Sequence, residues 1–228
     1  MGRVVTWLLC DYGQVLCLPP PETERQALEA QAGAGGPAFW ATYWQHRPAY
    51  DGAQLDTAAY WAQVLGRAPA APRLQRLHET DVAMWSHPNR PTIEAAARAA
   101  RRGLRLALLS NAPAELADHL DRLPWLQLFA PRLFSGRLGT VKPEPAIYIA
   151  ALDALRARPG DVTFVDDRPA NVDAAQRLGL RAVRFTHSGQ LDAVHPDAVD
   201  PGTVDAVDPG TVDAVDPGTV DAVDQQGR

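Results

Sequence analysis

Asp11 closes an apolar run that includes Val4, Val5, Trp7, Leu8 and Leu9, and a glycine turn follows at Gly13. A carboxylate there can attack as a nucleophile or hold a metal ion. Alone, it could equally be a turn or helix-cap aspartate. Three further stretches change that balance. Ser110-Asn111 closes the apolar run 104–109, Lys142 stands directly before Pro143, and Asp166-Asp167 closes the run 161–165. A carboxylate nucleophile, a hydroxyl with backbone amides, an ammonium and an acid pair together meet the needs of phosphoryl transfer through an aspartyl-phosphate. Two or three carboxylates with waters and a substrate oxygen make a Mg2+ site. The metal would neutralise the repulsion between Asp11 and a phosphate.

Lys142 carries extra weight. It is the only lysine among 22 basic residues; all the others are arginine. An ammonium is a compact point charge, unlike the planar guanidinium fork. A site that must fit a small charge between a nucleophile and a phosphate oxygen would refuse arginine.

These groups meet only if several strand ends converge. The first strand ends at Asp11, Pro19-Pro20-Pro21 breaks the pattern, and a helix starts near Glu22. From there to about Pro88 the sequence has no convincing strand. Phe39, Trp40, Tyr43 and Trp44 recur at helical spacing, as do Tyr60, Trp61, Val64 and Leu65, then Leu74, Leu77, Val82 and Trp85 more loosely. Residues 19–87 therefore read as a helical insertion with its own aromatic core. Within it His46, Arg47, Tyr50 and Tyr60 are polar or amphipathic, which makes them candidates to face a substrate. After Pro91 helices at 92–102, 113–123, 143–156 and 170–178 alternate with strands at 104–109, 132–135, 161–165 and 181–185. That alternation implies a doubly wound, Rossmann-like parallel α/β sheet built from residues 1–18 and 88–190. Such sheets place their chemistry at the carboxyl ends of the strands.

Composition narrows the function classes. From Leu191 onward there are nine aspartates and one arginine, a charge of −8, so the net −5 of the chain leaves residues 1–190 at +3. A mildly basic body suits a small anionic substrate, and the excess is too small to argue for nucleic acid. Cys10 lies on the first strand and Cys17 just past its turn, which fits free thiols in a reducing cytoplasm better than a structural disulfide. The N-terminal apolar run is too short for a signal peptide, and no stretch is expected to span a membrane. No histidine pair has zinc-ligand spacing. The unit Asp-Pro-Gly-Thr-Val-Asp-Ala-Val at 200–207 repeats at 208–215 and 216–223. Such units bury no core, so residues 191–228 are expected to be disordered, and their deletion to leave stability nearly unchanged.

The full set resembles the haloacid dehalogenase (HAD) superfamily of hydrolases. Its four motifs stand in order as Asp11-Tyr12-Gly13-Gln14-Val15-Leu16, Leu108-Leu109-Ser110-Asn111, Lys142-Pro143-Glu144-Pro145 and Phe164-Val165-Asp166-Asp167-Arg168-Pro169-Ala170-Asn171-Val172. The match covers roughly residues 4–186, and the helical insertion stands where a type-1 cap would. By that resemblance Asp11 would be the nucleophile and a metal ligand, the Gly13 carbonyl a second ligand, and Asp166 and Asp167 the rest of the metal site. Ser110 and the Asn111 backbone would hold the phosphoryl group, and Lys142 would bridge nucleophile and phosphate. Asn171 stands at a helix start, where it could simply cap.

One position departs from the pattern. Most family phosphatases have a second aspartate two residues after the nucleophile, which protonates the leaving group and then activates water. Here that residue is Gly13. The sequence resembles a branch, including bacterial sugar-phosphate phosphatases, that reads Asp-x-Gly-x-Val. The expected activity is thus Mg2+-dependent hydrolysis of a small phosphorylated metabolite, with a good leaving group such as an anomeric or acyl phosphate. Two alternatives stand beside it. A metal-independent dehalogenase typically lacks the fourth-motif acid pair that is intact here, and a non-catalytic scaffold has only the missing acid in its favour.

Overall fold

The computed structural model describes residues 7–196. Val4 and Val5, and the repeats from residue 197 onward, lie outside the described residues. Five parallel strands, β1 (Trp7–Cys10), β2 (Arg105–Ser110), β3 (Arg132–Phe134), β4 (Val162–Asp166) and β5 (Arg181–Arg184), form one sheet in the order β3-β2-β1-β4-β5. β1 is central, with Cys10 level with Leu108 of β2 and Val165 of β4. The strand order reverses beside β1, and in sheets of this kind that is where a crevice opens at the carboxyl edge. Asp11 follows β1, Ser110 ends β2 and Asp166 ends β4, so the three arrive at that edge together.

Side chains of the central strands alternate between two cores, as the period of two requires. Leu8, Cys10, Leu106 and Leu108 pack with α5 (Arg90–Arg101) and α6 (Ala114–Leu120) on one face. Trp7, Leu9, Ala107 and Leu109 pack with α8 (Pro145–Leu155) and α9 (Pro169–Arg177) on the other. Both faces of β1 are buried, which explains its uninterrupted apolar run. Between α6 and α8 stands a one-turn helix, α7 (Ser135–Leu138). It begins at Ser135, a residue the sequence pattern assigned to the third strand. The end of the expected helix 113–123 is likewise not helix: α6 stops at Leu120, and a 3-10 turn covers Pro124–Leu128.

The insertion between β1 and β2 holds α1 (Glu22–Ala32), α2 (Gly36–Asp51), α3 (Thr57–Leu65) and α4 (Ala71–Met84). They close around their own cluster of Leu28, Phe39, Tyr43, Tyr60, Trp61, Leu77 and Met84. The sheet fold and its helical insertion thus match the architecture read from the sequence.

The packed chain runs on past residue 190. A last short helix, α10 (Gly189–Asp192), carries Leu191 into the core beside Ala95 and Ala99 of α5, and Val194 follows it. Arg98 clasps Asp192 through two hydrogen bonds of 2.9 and 2.7 Å. The aspartates of the tail drew attention to its charge, while Leu191 and Val194 are apolar enough to dock.

Candidate active site

The centre of the site is one buried ammonium between two carboxylates. Lys142 Nζ donates to Asp11 Oδ1 at 2.6 Å and to Asp166 Oδ2 at 2.7 Å. Burial works to lower the Lys142 pKa, but Asp11 and Asp166 outweigh it and hold the ammonium charged. Asp11 responds mainly to burial, which pushes its pKa up to about 7 against the pull of Lys142. Asp166 is fully buried, and its carboxylate is heavily engaged. Besides Lys142, it accepts from Asn171 Nδ2 at 2.9 and 3.0 Å and from the Arg168 backbone N–H at 2.9 Å. Asn171 is therefore more than a cap: it orients the carboxylate that holds the lysine.

Two loops carry the remaining groups, and they are stitched together. The Lys142 N–H donates to Asn111 Oδ1 at 2.8 Å, and Asn111 Nδ2 donates to the Lys142 carbonyl at 2.9 Å. The Asn111 side chain is thereby committed to the lysine loop. One oxygen each from Asp11, Asp166 and Asp167 lies within 4.8 Å of the others, close enough for all three to hold one metal ion. These are hard oxygen donors, which suit Mg2+.

A cavity of about 270 Å3 opens over this edge. The core contributes Asp11, Gly13, Ser110, Asn111, Lys142 and Asp167 to its wall, and the insertion contributes Trp44, Arg47, Asp51 and Trp85. Tyr12 ties the two parts together by donating its hydroxyl to the Trp85 carbonyl at 2.8 Å. Arg47 is buried and held by three neighbours. Its Nε donates to Asp51 Oδ1 at 2.7 Å, and its Nη1 reaches the Tyr43 hydroxyl and, at 3.3 Å, Asp81 Oδ2.

Of the four candidates read from the insertion, only Arg47 lines this cavity. Tyr50 and Tyr60 stack on each other at 4.4 Å inside the helical cluster, where the Tyr60 hydroxyl donates to the Tyr43 carbonyl. His46 is partly buried and is not among the lining residues. Asp51 was not singled out from the sequence; Trp44 and Trp85 stood only among the aromatics of the insertion, and Arg168 only within the fourth motif. Asp51 gave no signal in the sequence, because only the structure puts it on the last turn of a helix, the end that disfavours negative charge. A residue kept there against its local electrostatics invites a functional question.

Residues 11–179 match the family described as haloacid dehalogenase-like hydrolase. The bifunctional epoxide hydrolase 2 of Rattus norvegicus is 34% identical over 97 residues, which make up 40% of this chain and 18% of that protein. The phosphoserine phosphatase of Thermus thermophilus is 33% identical over 162 residues, 64% of this chain and 61% of that one. The chain therefore spans less than two thirds of the length of either relative. A HAD family enzyme of Bacteroides thetaiotaomicron, solved as the wild-type protein in complex with magnesium and inorganic phosphate, shares the fold with a TM-score of 0.64 at 17% identity, over 80% of this chain and 94% of that one.

Proposed function

The chain belongs to the haloacid dehalogenase-like hydrolases, and we propose that within them it is a Mg2+-dependent phosphatase of a small phosphate ester. The observation that carries this reading is the Lys142 ammonium, bonded to Asp11 and Asp166, with Asp167 completing a trio of carboxylates. A dehalogenase attacks carbon and has no use for that third acid. The relative from Thermus thermophilus is named a phosphatase, and the Bacteroides thetaiotaomicron enzyme was solved with magnesium and phosphate. Both point the same way.

The residue roles follow from what each group has free. Asp11 attacks phosphorus and carries the phosphoryl group as an acyl phosphate. The Ser110 hydroxyl and the Asn111 backbone N–H hold the phosphoryl oxygens, and Lys142 offsets the charge gathered between Asp11 and the phosphate. Water then releases inorganic phosphate from Asp11. Asp11, Asp167 and, by the resemblance, the Gly13 carbonyl would hold Mg2+. Asp166 completes the acid set while fixing the lysine. Bound there, the ion neutralises the charge that otherwise sets carboxylate and phosphate against each other and favours the ionised form of Asp11.

A cavity of this size suits a small metabolite. Trp44, Trp85 and Arg47 give it an aromatic and cationic wall, which suits a sugar or acyl phosphate. The test is release of phosphate from a panel of phosphate esters, with Mg2+ and with EDTA. Release that needs Mg2+ is the expected outcome. Halide release from α-haloacids in EDTA would replace this reading with a dehalogenase, and an inert protein would replace it with a scaffold.

A further inference from the structure

Gly13 stands where, by the resemblance noted above, an aspartate protonates the leaving group. The backbone does not demand glycine there. Its φ is not positive, the left-handed residue of the turn being Gln14 at φ 57°, and a Cβ would meet only the Trp85 ring, at 3.9 Å. Residue 13 thus leaves open space beside the nucleophile and brings no acid into it. Among the residues lining the cavity, the insertion contributes one carboxyl group, that of Asp51.

We propose that Asp51, on the last turn of α2, is the general acid and base of the reaction in place of residue 13. This rests on the phosphatase reading and adds a catalytic residue to it. Three observations support the assignment. First, Asp51 is half committed. Arg47 Nε donates to its Oδ1 at 2.7 Å, while among the described residues nothing donates to Oδ2. Second, Asp51 is anchored to the core and does not ride free on the insertion. Ser135 Oγ donates to the Asp51 carbonyl at 2.6 Å and itself accepts from the Ala112 N–H, two residues past Ser110, at 2.9 Å. On the other side, a Cβ on Gly52 would lie 3.3 Å from Val141 Cγ1, so α2 ends directly against the neighbour of Lys142. Third, burial and the helix end both favour the neutral carboxyl. Arg47 and Arg168 oppose that and Asp81 reinforces it, and the Asp51 pKa stands above the ordinary aspartate value.

The step balances as follows. Asp11 bonds to phosphorus, the ester P–O bond breaks, and the leaving oxygen keeps the electron pair and takes the Asp51 proton. The Asp51 carboxylate then takes a proton from water as the water oxygen bonds to phosphorus. The bond from Asp11 to phosphorus breaks, which returns Asp11 as a carboxylate and Asp51 as an acid, and frees inorganic phosphate.

The test compares an ester that needs the proton with one that does not. With Mg2+ present, kcat/KM is measured on glycerol phosphate and on p-nitrophenyl phosphate, whose phenolate leaves unaided. Asp51→Asn is expected to lose at least about 100-fold on glycerol phosphate and less than about fivefold on p-nitrophenyl phosphate, the second figure also showing that the variant folds. On glycerol phosphate the wild-type rate falls as pH rises through the Asp51 pKa, and that limb is expected to vanish in the variant. Gly13→Asp added to Asp51→Asn is expected to return at least about tenfold on glycerol phosphate. An equal loss on both esters, or no loss on glycerol phosphate, overturns the proposal. If the wild type hydrolyses neither of these esters nor any other of the panel, the phosphatase reading itself fails and this one falls with it.

Discussion

Lys142 is where a single side chain decides most. Its side chain is 1% exposed and touches two carboxylates, so no water compensates any misfit. An arginine there keeps the charge but needs a planar slot and more volume. We expect Lys142→Arg to lower kcat at least about 100-fold, because the charge no longer sits between Asp11 and the phosphoryl oxygens. Overpacking should cost about 1–3 kcal/mol of stability. Steady-state kinetics and a melting curve check both; near-normal turnover would mean that any cation serves. That this lysine stands out was legible in the sequence, because an otherwise complete drift to arginine stops at one position. The role of Asp51 was not. Arg47 is its neighbour on α2, but Ser135, which bonds its carbonyl, and Arg168, which shares its cavity, lie far along the chain, and only the packed fold brings them near. Tyr50 and Tyr60 stood out as amphipathic side chains in an apolar insertion, but that character does not say which interior a side chain faces, and both pack inside the helical cluster.

At the scale of elements, β1, β2 and β4 delivered what their apolar runs promised, because a strand buried on both faces leaves a continuous pattern. What stayed hidden was short. α7 is four residues long, too brief for any periodicity, yet it braces the loop after Ser110. A Cβ on its Gly136 would lie 2.6 Å from the Ala114 nitrogen and 2.8 Å from the Ala112 carbonyl oxygen, both backbone atoms that cannot swing aside. Helix propensity alone would make Gly136→Ala stabilising by about 1 kcal/mol. We expect the opposite sign, a loss of about 1–3 kcal/mol, or several degrees of melting temperature, with a fall in kcat as the Ser110 loop shifts. An unchanged or raised melting temperature would show that α7 yields freely.

The molecule as a whole divides its charge, with the aspartates from residue 191 onward set against a mildly basic remainder. Residues 191–196 nonetheless belong to the folded body. Leu191 is fully buried, and Arg102 donates to its carbonyl at 3.0 Å. A chain ending at Gln190 should therefore be less stable than one ending at Pro196 by about 2–4 kcal/mol, the scale of losing one buried leucine. Equal melting temperatures for the two would contradict this docking. Phosphoryl transfer to Asp11 can be read from the protein itself. Mixed with acetyl phosphate and Mg2+, quenched in acid within one turnover and mapped by peptide mass, the chain should carry one phosphoryl group on Asp11, absent in EDTA and lost on further incubation. Turnover with Asp11 never modified would contradict it.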